Sequence, residues 1–279
     1  MAKTAVAVKE ETQMTLPGFM QDQVGLGTEA LDASSVEIPR VKLMQALSPE
    51  LQEYNSLKAG HFFHTLAEQD MGPSVRVTPI YVDSRFILWR PRETGGGILA
   101  RADDGIHWSP ANTEFQVKLK SGQEVKWKTA TTVASSRLDQ WGSSNPADST
   151  SPPAATRMFN LVCTFPDFPY LPPAVVTLQR AAIKVARRFI GKLKITRAPS
   201  FGLVFDMVAV EDRNNAGQKY FNYSFKAAGM VQDQAEYEKN HSYYRYFKAQ
   251  GIQVKDLEDA QADDIADEEV GDSKGKPAF

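Results

Sequence analysis

Hydrophobic positions in this chain alternate in some stretches and recur every third or fourth residue in others. The run "SVRVTPIYVDSRFILWR" (74–90) is dense in Val, Ile, Tyr, Phe and Trp, side chains that pack well on a pleated surface. It predicts one long or bulged strand, with Pro79 at an edge or bulge because proline brings no N–H to a ladder. "EFQVKLKSGQEVKWKT" (114–129) is two alternating runs joined at Ser121-Gly122 and predicts a hairpin. Phe115, Val117, Leu119, Val125 and Trp127 share one face; Lys118, Lys120, Lys126 and Lys128 share the other, with Glu124 the single acid nearby. "KAGHFF" reads as a turn into a strand.

Helical spacing dominates later. Pro173 suits a first helical turn and Gly191 an end, and between them Val175, Leu178, Ala182, Val185 and Phe189 form one apolar stripe. "FGLVFDMVAVEDRNNAGQKYFNYSFKAAG" predicts two strands around an Asn-Asn-Ala-Gly turn, and "DQAEYEKNHSYYRYFKAQG" a closing helix. "WGSSNPADSTSPPAATR" is low in complexity and reads as a mobile loop near 142–156. The sum is an α+β chain in three parts: a flexible acidic segment over 1–38, a single domain over 39–254, and an acidic tail over 255–279.

Charge sharpens that division. The chain of 279 residues carries 32 Lys+Arg against 34 Asp+Glu and looks nearly neutral. Residues 256–279 hold 9 acids and 2 bases, and residues 1–38 hold 6 acids and 2 bases, so the body between them has 28 bases and 19 acids. A basic body attracts polyanions, and an acidic tail can compete for the same surface. From Phe168 to Phe205 there are seven Lys or Arg and no acid. The helix dipole explains cations in a last turn, such as Arg187 and Arg188, but not all seven.

At 42% hydrophobic residues the chain can bury a substantial core. No apolar run approaches the roughly 18 residues of a membrane span, and the N-terminus shows no apolar signal segment, so a cytoplasmic protein is expected. The one cysteine, Cys163, lies among apolar neighbours and is expected to be a buried small hydrophobe rather than a nucleophile. "HFFH" (His61, His64) lacks the further ligands a zinc site needs. "ARADDGIHW" sets Asp103 and Asp104 beside His107, an arrangement read as turn chemistry. There is no Gly-x-Ser-x-Gly and no His-Glu-x-x-His. No catalytic residue, metal or cofactor is expected.

Binding a single strand asks less: cations along a groove and aromatic faces on which bases stack. Both ingredients occur in Trp89, Arg90 and Arg92, again in Trp108, Trp127 and the hairpin lysines, and the cations recur in Lys184, Arg187 and Arg188. The blocks "IPRVKLMQALSPELQEYNSLKAGHFFHTL", "VRVTPIYVDSRFILWRPRETGGG" and "LPPAVVTLQRAAIKVARRFIGKLK", with the acidic tail ending in Phe, resemble bacteriophage proteins related to single-stranded DNA-binding proteins. That resemblance implies an OB-like antiparallel β-barrel elaborated with helices, working in an infected bacterial host in DNA replication or recombination. It also implies that Asp263, Asp264, Asp267, Glu268, Glu269 and Phe279 recruit replication or recombination proteins and compete with DNA. Tails of this kind place acids directly before the last apolar residues, whereas Lys274 and Lys276 intervene here. The partners expected are single-stranded DNA and a second copy of the chain in a homo-oligomer. Two other readings share these features: a virion or assembly protein, and a strand-annealing recombination factor.

Overall fold

The computed structural model describes residues 38–91, 95–119, 121–214 and 217–252. All of them fall in the unit Ile38–Phe279. Along the chain run β1 (Val41–Leu43), α1 (Glu50–Glu53), β2 (Phe62–His64), β3 (Gln69–Gly72), β4 (Ser74–Trp89), β5 (Ile98–Ala102), β6 (Glu114–Lys118) and β7 (Glu124–Lys128). Then come α2 (Val133–Ser136), β8 (Ala155–Thr164), β9 (Ala174–Gln179), α3 (Ile183–Thr196), β10 (Leu203–Arg213), β11 (Lys219–Met230) and α4 (Gln234–Gln250).

The long strand β4 organises the molecule. Its first residues, Ser74–Val77, pair with β10; its last, Phe86–Trp89, pair with β5 on the same edge; and β8 runs along the opposite edge. The register with β8 shifts between Pro79 and Tyr81, the bulge expected where proline withholds its N–H. The strand order is β11-β10-β4-β8-β9, all antiparallel. β1, β2 and β3 form a separate small sheet, joined to β9 through a parallel bridge between Arg40 and Val175.

Two expectations need correction. The OB-like barrel is not closed: among the described strands none joins β9 back to β11, so the sheet is open and the fold is α+β in the broad sense. The helix expected from Pro173 to Gly191 begins later. Ala174–Gln179 is strand β9, a 3-10 turn covers Arg180–Ala182, and α3 runs from Ile183 past Gly191 to Thr196, ending on Arg197 in the left-handed region at φ 55°. The sequence AVVTLQ suited either period, and pairing with β8 decided for the strand, where the β-branched valines fit a pleated surface.

Both faces of the sheet are covered. On one, Phe189 of α3 stacks on Phe225 at 4.2 Å and meets Phe205 edge-on at 4.9 Å, over Leu161, Cys163, Val176 and Met207. Cys163 is buried, which pushes its thiol pKa up and leaves it an inert core residue. On the other face, Phe247 of α4 and the following Ile252 pack with Ile80, Val162, Val175 and Phe201. A third core gathers Phe86, Leu88, Trp108, Val117, Val125 and Trp127 under the β6–β7 hairpin. Val82, Ser84, Phe86 and Leu88 alternate on one side of β4. Val82 packs into the α3 core and Phe86 into the hairpin core, so the two lie on the same side of the strand with Ser84 between them.

Candidate nucleic-acid interface

Helix α3 owes its place to Ile183, Ala186, Phe189, Ile190 and Leu193, which recur at helical spacing and sit in or against the core. The same geometry turns Lys184, Arg187, Arg188 and Lys194 to solvent. Lys192 is committed to the fold, its Nζ donating to the Phe225 carbonyl at 2.7 Å. The helix holds no acid, and among the described residues no ion pair engages Lys184, Arg187, Arg188 or Lys194. An unmatched patch of this kind attracts anions through long-range field as well as contact.

Beside this face the sheet contributes Arg157 from β8. Its guanidinium lies over the Phe159 ring at 4.7 Å and the Phe86 ring at 5.3 Å, a cation–π arrangement that fixes it in place. Partial burial and the neighbouring charge of Arg187 press its pKa downward, with Asp139 opposing. Its Nε is buried without a hydrogen-bond partner among the described residues. Arg157 and Arg187 thus act on each other as like charges, a repulsion that a bound anion nearby would relieve.

Between α3 and the strands lies an open groove of about 380 Å³, floored by Val82, Ser84 and Phe159 and walled by Ile190, Leu193 and Lys194. Asp83 also borders the groove, but its carboxylate is spent: Oδ1 accepts from Asn160 at 3.0 Å and Oδ2 from Arg85 at 3.1 Å. Burial raises the Asp83 pKa against the pull of Arg85. Arg85 also donates to the Ile252 carbonyl, tying the sheet to the segment that follows α4.

The structure places the other expected residues less favourably. Trp108 and Trp127 are buried, at 4% and 5% exposure, and their indole N–H groups donate to Ser136 Oγ at 3.0 Å and the Ser144 carbonyl at 3.2 Å. They are satisfied core residues with no free face for a base, which corrects their assignment as stacking platforms. Trp89 is half-buried against Ile87 and Met158. Arg90 is exposed; Arg92, Lys120 and the tail residues Asp263, Asp264, Asp267, Glu268, Glu269 and Phe279 lie outside the described residues.

The hairpin forms as expected, with Lys118, Lys126 and Lys128 exposed. The register adds a second acid that a linear reading overlooks: Glu114 stands opposite Lys128 and binds Lys126 at 2.9 Å, while Glu124 stands opposite Lys118. The hydrogen bond and charge of Lys126 hold the Glu114 carboxyl below its usual range. On that face Lys126 is ion-paired, and Lys118 and Lys128 each stand across the ladder from an acid.

Arg157 and the exposed Trp141, at 67% exposure, went unnoticed in the sequence. Trp141 sits in a serine- and proline-rich run with no alternation to give it a core partner, and that isolation was its signal. The segment it opens is turn-rich and hydrogen-bonded, with Gly142 N–H donating to the Ser151 carbonyl at 2.7 Å and Ala155 N–H to the Leu138 carbonyl at 2.9 Å. "HFFH" divides its work: His61 pairs with Asp70 at 2.9 Å, and His64 is buried, accepting from the Ala67 N–H at 3.1 Å, with burial pushing its pKa down. Asp104 accepts from the backbone N–H groups of Ile106 and His107, both at 2.7 Å, which is turn chemistry. Among the described residues no three potential metal ligands cluster, and no helix is long and apolar enough to cross a membrane.

Fold and groove together define an open-sheet α+β protein with an unmatched cationic face. The family model of Pam3 phage gp34-like proteins matches residues 9–253, and the chain belongs to that family, a phage protein. No curated protein and no solved structure matches it.

Proposed function

We propose that this phage protein is a non-catalytic single-stranded DNA-binding protein serving replication or recombination. The observation that carries the reading is the acid-free face of α3, where Lys184, Arg187, Arg188 and Lys194 have no ion-pair partner among the described residues. A flexible single strand can follow such a face with its phosphates and lay its bases against apolar surface, without the wide groove a duplex demands. The site belongs to an open sheet rather than to an OB-type barrel. The acidic tail, which includes Asp263, Asp264 and Phe279, would compete for the same cations and recruit replication or recombination proteins.

The test is a titration of labelled single-stranded and duplex oligonucleotides at several salt concentrations, using the full chain and a chain ending at Lys255. The reading predicts single-strand preference, steep weakening by salt, and tighter binding after truncation. Absence of binding by both proteins at low salt contradicts it and favours a virion or assembly role; accelerated pairing of complementary strands would instead mark an annealing factor.

A further inference from the structure

With Trp108 and Trp127 sealed in the core, a bound strand needs another aromatic face for its bases. We propose that Trp141 is that face: one base of the single strand stacks on its exposed indole, while the neighbouring phosphates run toward Arg157 and the cations of α3. This rests on the single-strand reading above.

Exposure, order and position carry the assignment. Of the four tryptophans, Trp108 and Trp127 are buried and Trp89 is half-buried, whereas Trp141 is 67% exposed. Among the described residues no aromatic ring and no cation engages its indole. The loop that presents it is already hydrogen-bonded: the Gly142 N–H donates to the Ser151 carbonyl at 2.7 Å, Ser143 Oγ accepts from the Ala154 N–H at 2.9 Å, and the Ser144 carbonyl accepts from the Trp127 indole at 3.2 Å. A backbone held in this way needs little ordering on binding.

Position links the ring to the cations. Three residues before Trp141, Leu138 packs in the hairpin core with Phe86, and its carbonyl accepts from the Ala155 N–H at 2.9 Å at the start of β8. Two residues along β8, Arg157 lies over Phe86 of that core and over Phe159, which packs in the α3 core with Phe189. Arg157 therefore stands at the seam between the two cores, and the charges of Arg187 from α3 and Asp139 from the Trp141 loop both reach it. Oδ1 of Asp139 is buried, so that oxygen is turned away from a strand. Cations leading to an open aromatic face are the pairing that single-strand binding uses, and since every base has a π-face the site should accept any of them.

The experiment titrates the full-length wild type, Trp141→Ala and Trp141→Phe with oligothymidylate and with an abasic sugar-phosphate oligomer of equal length. Binding is followed by the anisotropy of a labelled strand and, separately, by tryptophan fluorescence. Trp141→Ala should weaken oligothymidylate binding about tenfold, the scale of one stacked base. Its salt slope should not change, because no phosphate loses its cation. Trp141→Phe should keep most of the affinity, since a phenyl face still stacks, but lose the fluorescence quenching that oligothymidylate causes in the wild type. The abasic oligomer should bind the wild type and Trp141→Ala alike. Quenching in the wild type is a readout independent of any variant's folding. Oligothymidylate binding by the wild type without quenching, or undiminished affinity in Trp141→Ala, overturns the assignment and leaves backbone binding by α3 intact. If Trp141→Ala binds DNA as before but loses self-association in sedimentation, the ring belongs to a protein contact, which also overturns it. Failure of the wild type to bind either oligomer overturns the functional reading and the stacking site with it.

Discussion

Helix α3 turns Lys184, Arg187, Arg188 and Lys194 to solvent without an ion-pair partner among the described residues, whereas the β6–β7 hairpin sets Glu114 and Glu124 among its lysines. Counted along the chain, both regions read as cation stripes. Counted across space they differ, because antiparallel pairing brings Glu114, twelve positions from Lys126, to 2.9 Å from it. A helix face has no such partner strand and keeps the signs its own sequence supplies. The hairpin's contribution is a tryptophan-centred core; the helix's is an unmatched surface.

That contrast can be attacked from both sides. Trp127→Ala should cost about 3–5 kcal/mol of stability in a denaturant titration, because it empties a core site. At low temperature the variant that remains folded should keep its DNA affinity, and a selective loss of binding would return the hairpin to the interface. Arg187→Glu with Arg188→Glu should lower single-strand affinity on the order of a hundredfold, about 2.7 kcal/mol, with little change in melting temperature.

Acid tests the pairing in the tryptophan-centred region. Burial nudges the Asp104 carboxyl up, but the His107 backbone N–H and ring and the Ile106 N–H outweigh it and hold the pKa at about 2, below the usual 3.8. A depressed carboxylate contributes stability that is fully present above about pH 4 and lost as pH falls toward 2. Asp104 is largely exposed, so the loss should be about 1 kcal/mol or less, and Asp104→Asn should flatten that part of the stability–pH curve. The smallest effect is expected from Lys126→Ala, which removes an exposed pair: a barely measurable change in the denaturation midpoint and less than about a threefold change in DNA affinity.

What the sequence made legible follows from how local each signal is. Strand β4 with its bulge at Pro79, the β6–β7 hairpin, the β10–β11 pair and α4 are all set by short-range alternation, turn residues or caps such as Asp233, which accepts from Glu236 N–H at 2.9 Å. The start of α3 was not legible, since Val175 and Leu178 fit either period and the choice was made by β8, over ten residues away. Barrel closure depends on whether two distant edges meet, which no local pattern encodes. For the site, α3's cations could be read directly because a helix needs no partner to display a face. Arg157 could not, because its significance comes from Phe86, some seventy residues earlier, and from Arg187. The tryptophans misled because stacking on DNA and packing in a core call for the same residue.

The central claim is that single-stranded DNA binds the unmatched face of α3, and the salt dependence of binding measures it most directly. Each phosphate deprived of its cation should reduce the slope of log K against log salt by about 0.7. Replacing Lys184, Arg187 and Arg188 by alanine should therefore lower the slope by about 2 from the wild-type value, while replacing Lys118, Lys126 and Lys128 should leave it nearly unchanged. Equal slopes for the wild type and the α3 variant, or a larger drop for the hairpin variant, would contradict the account.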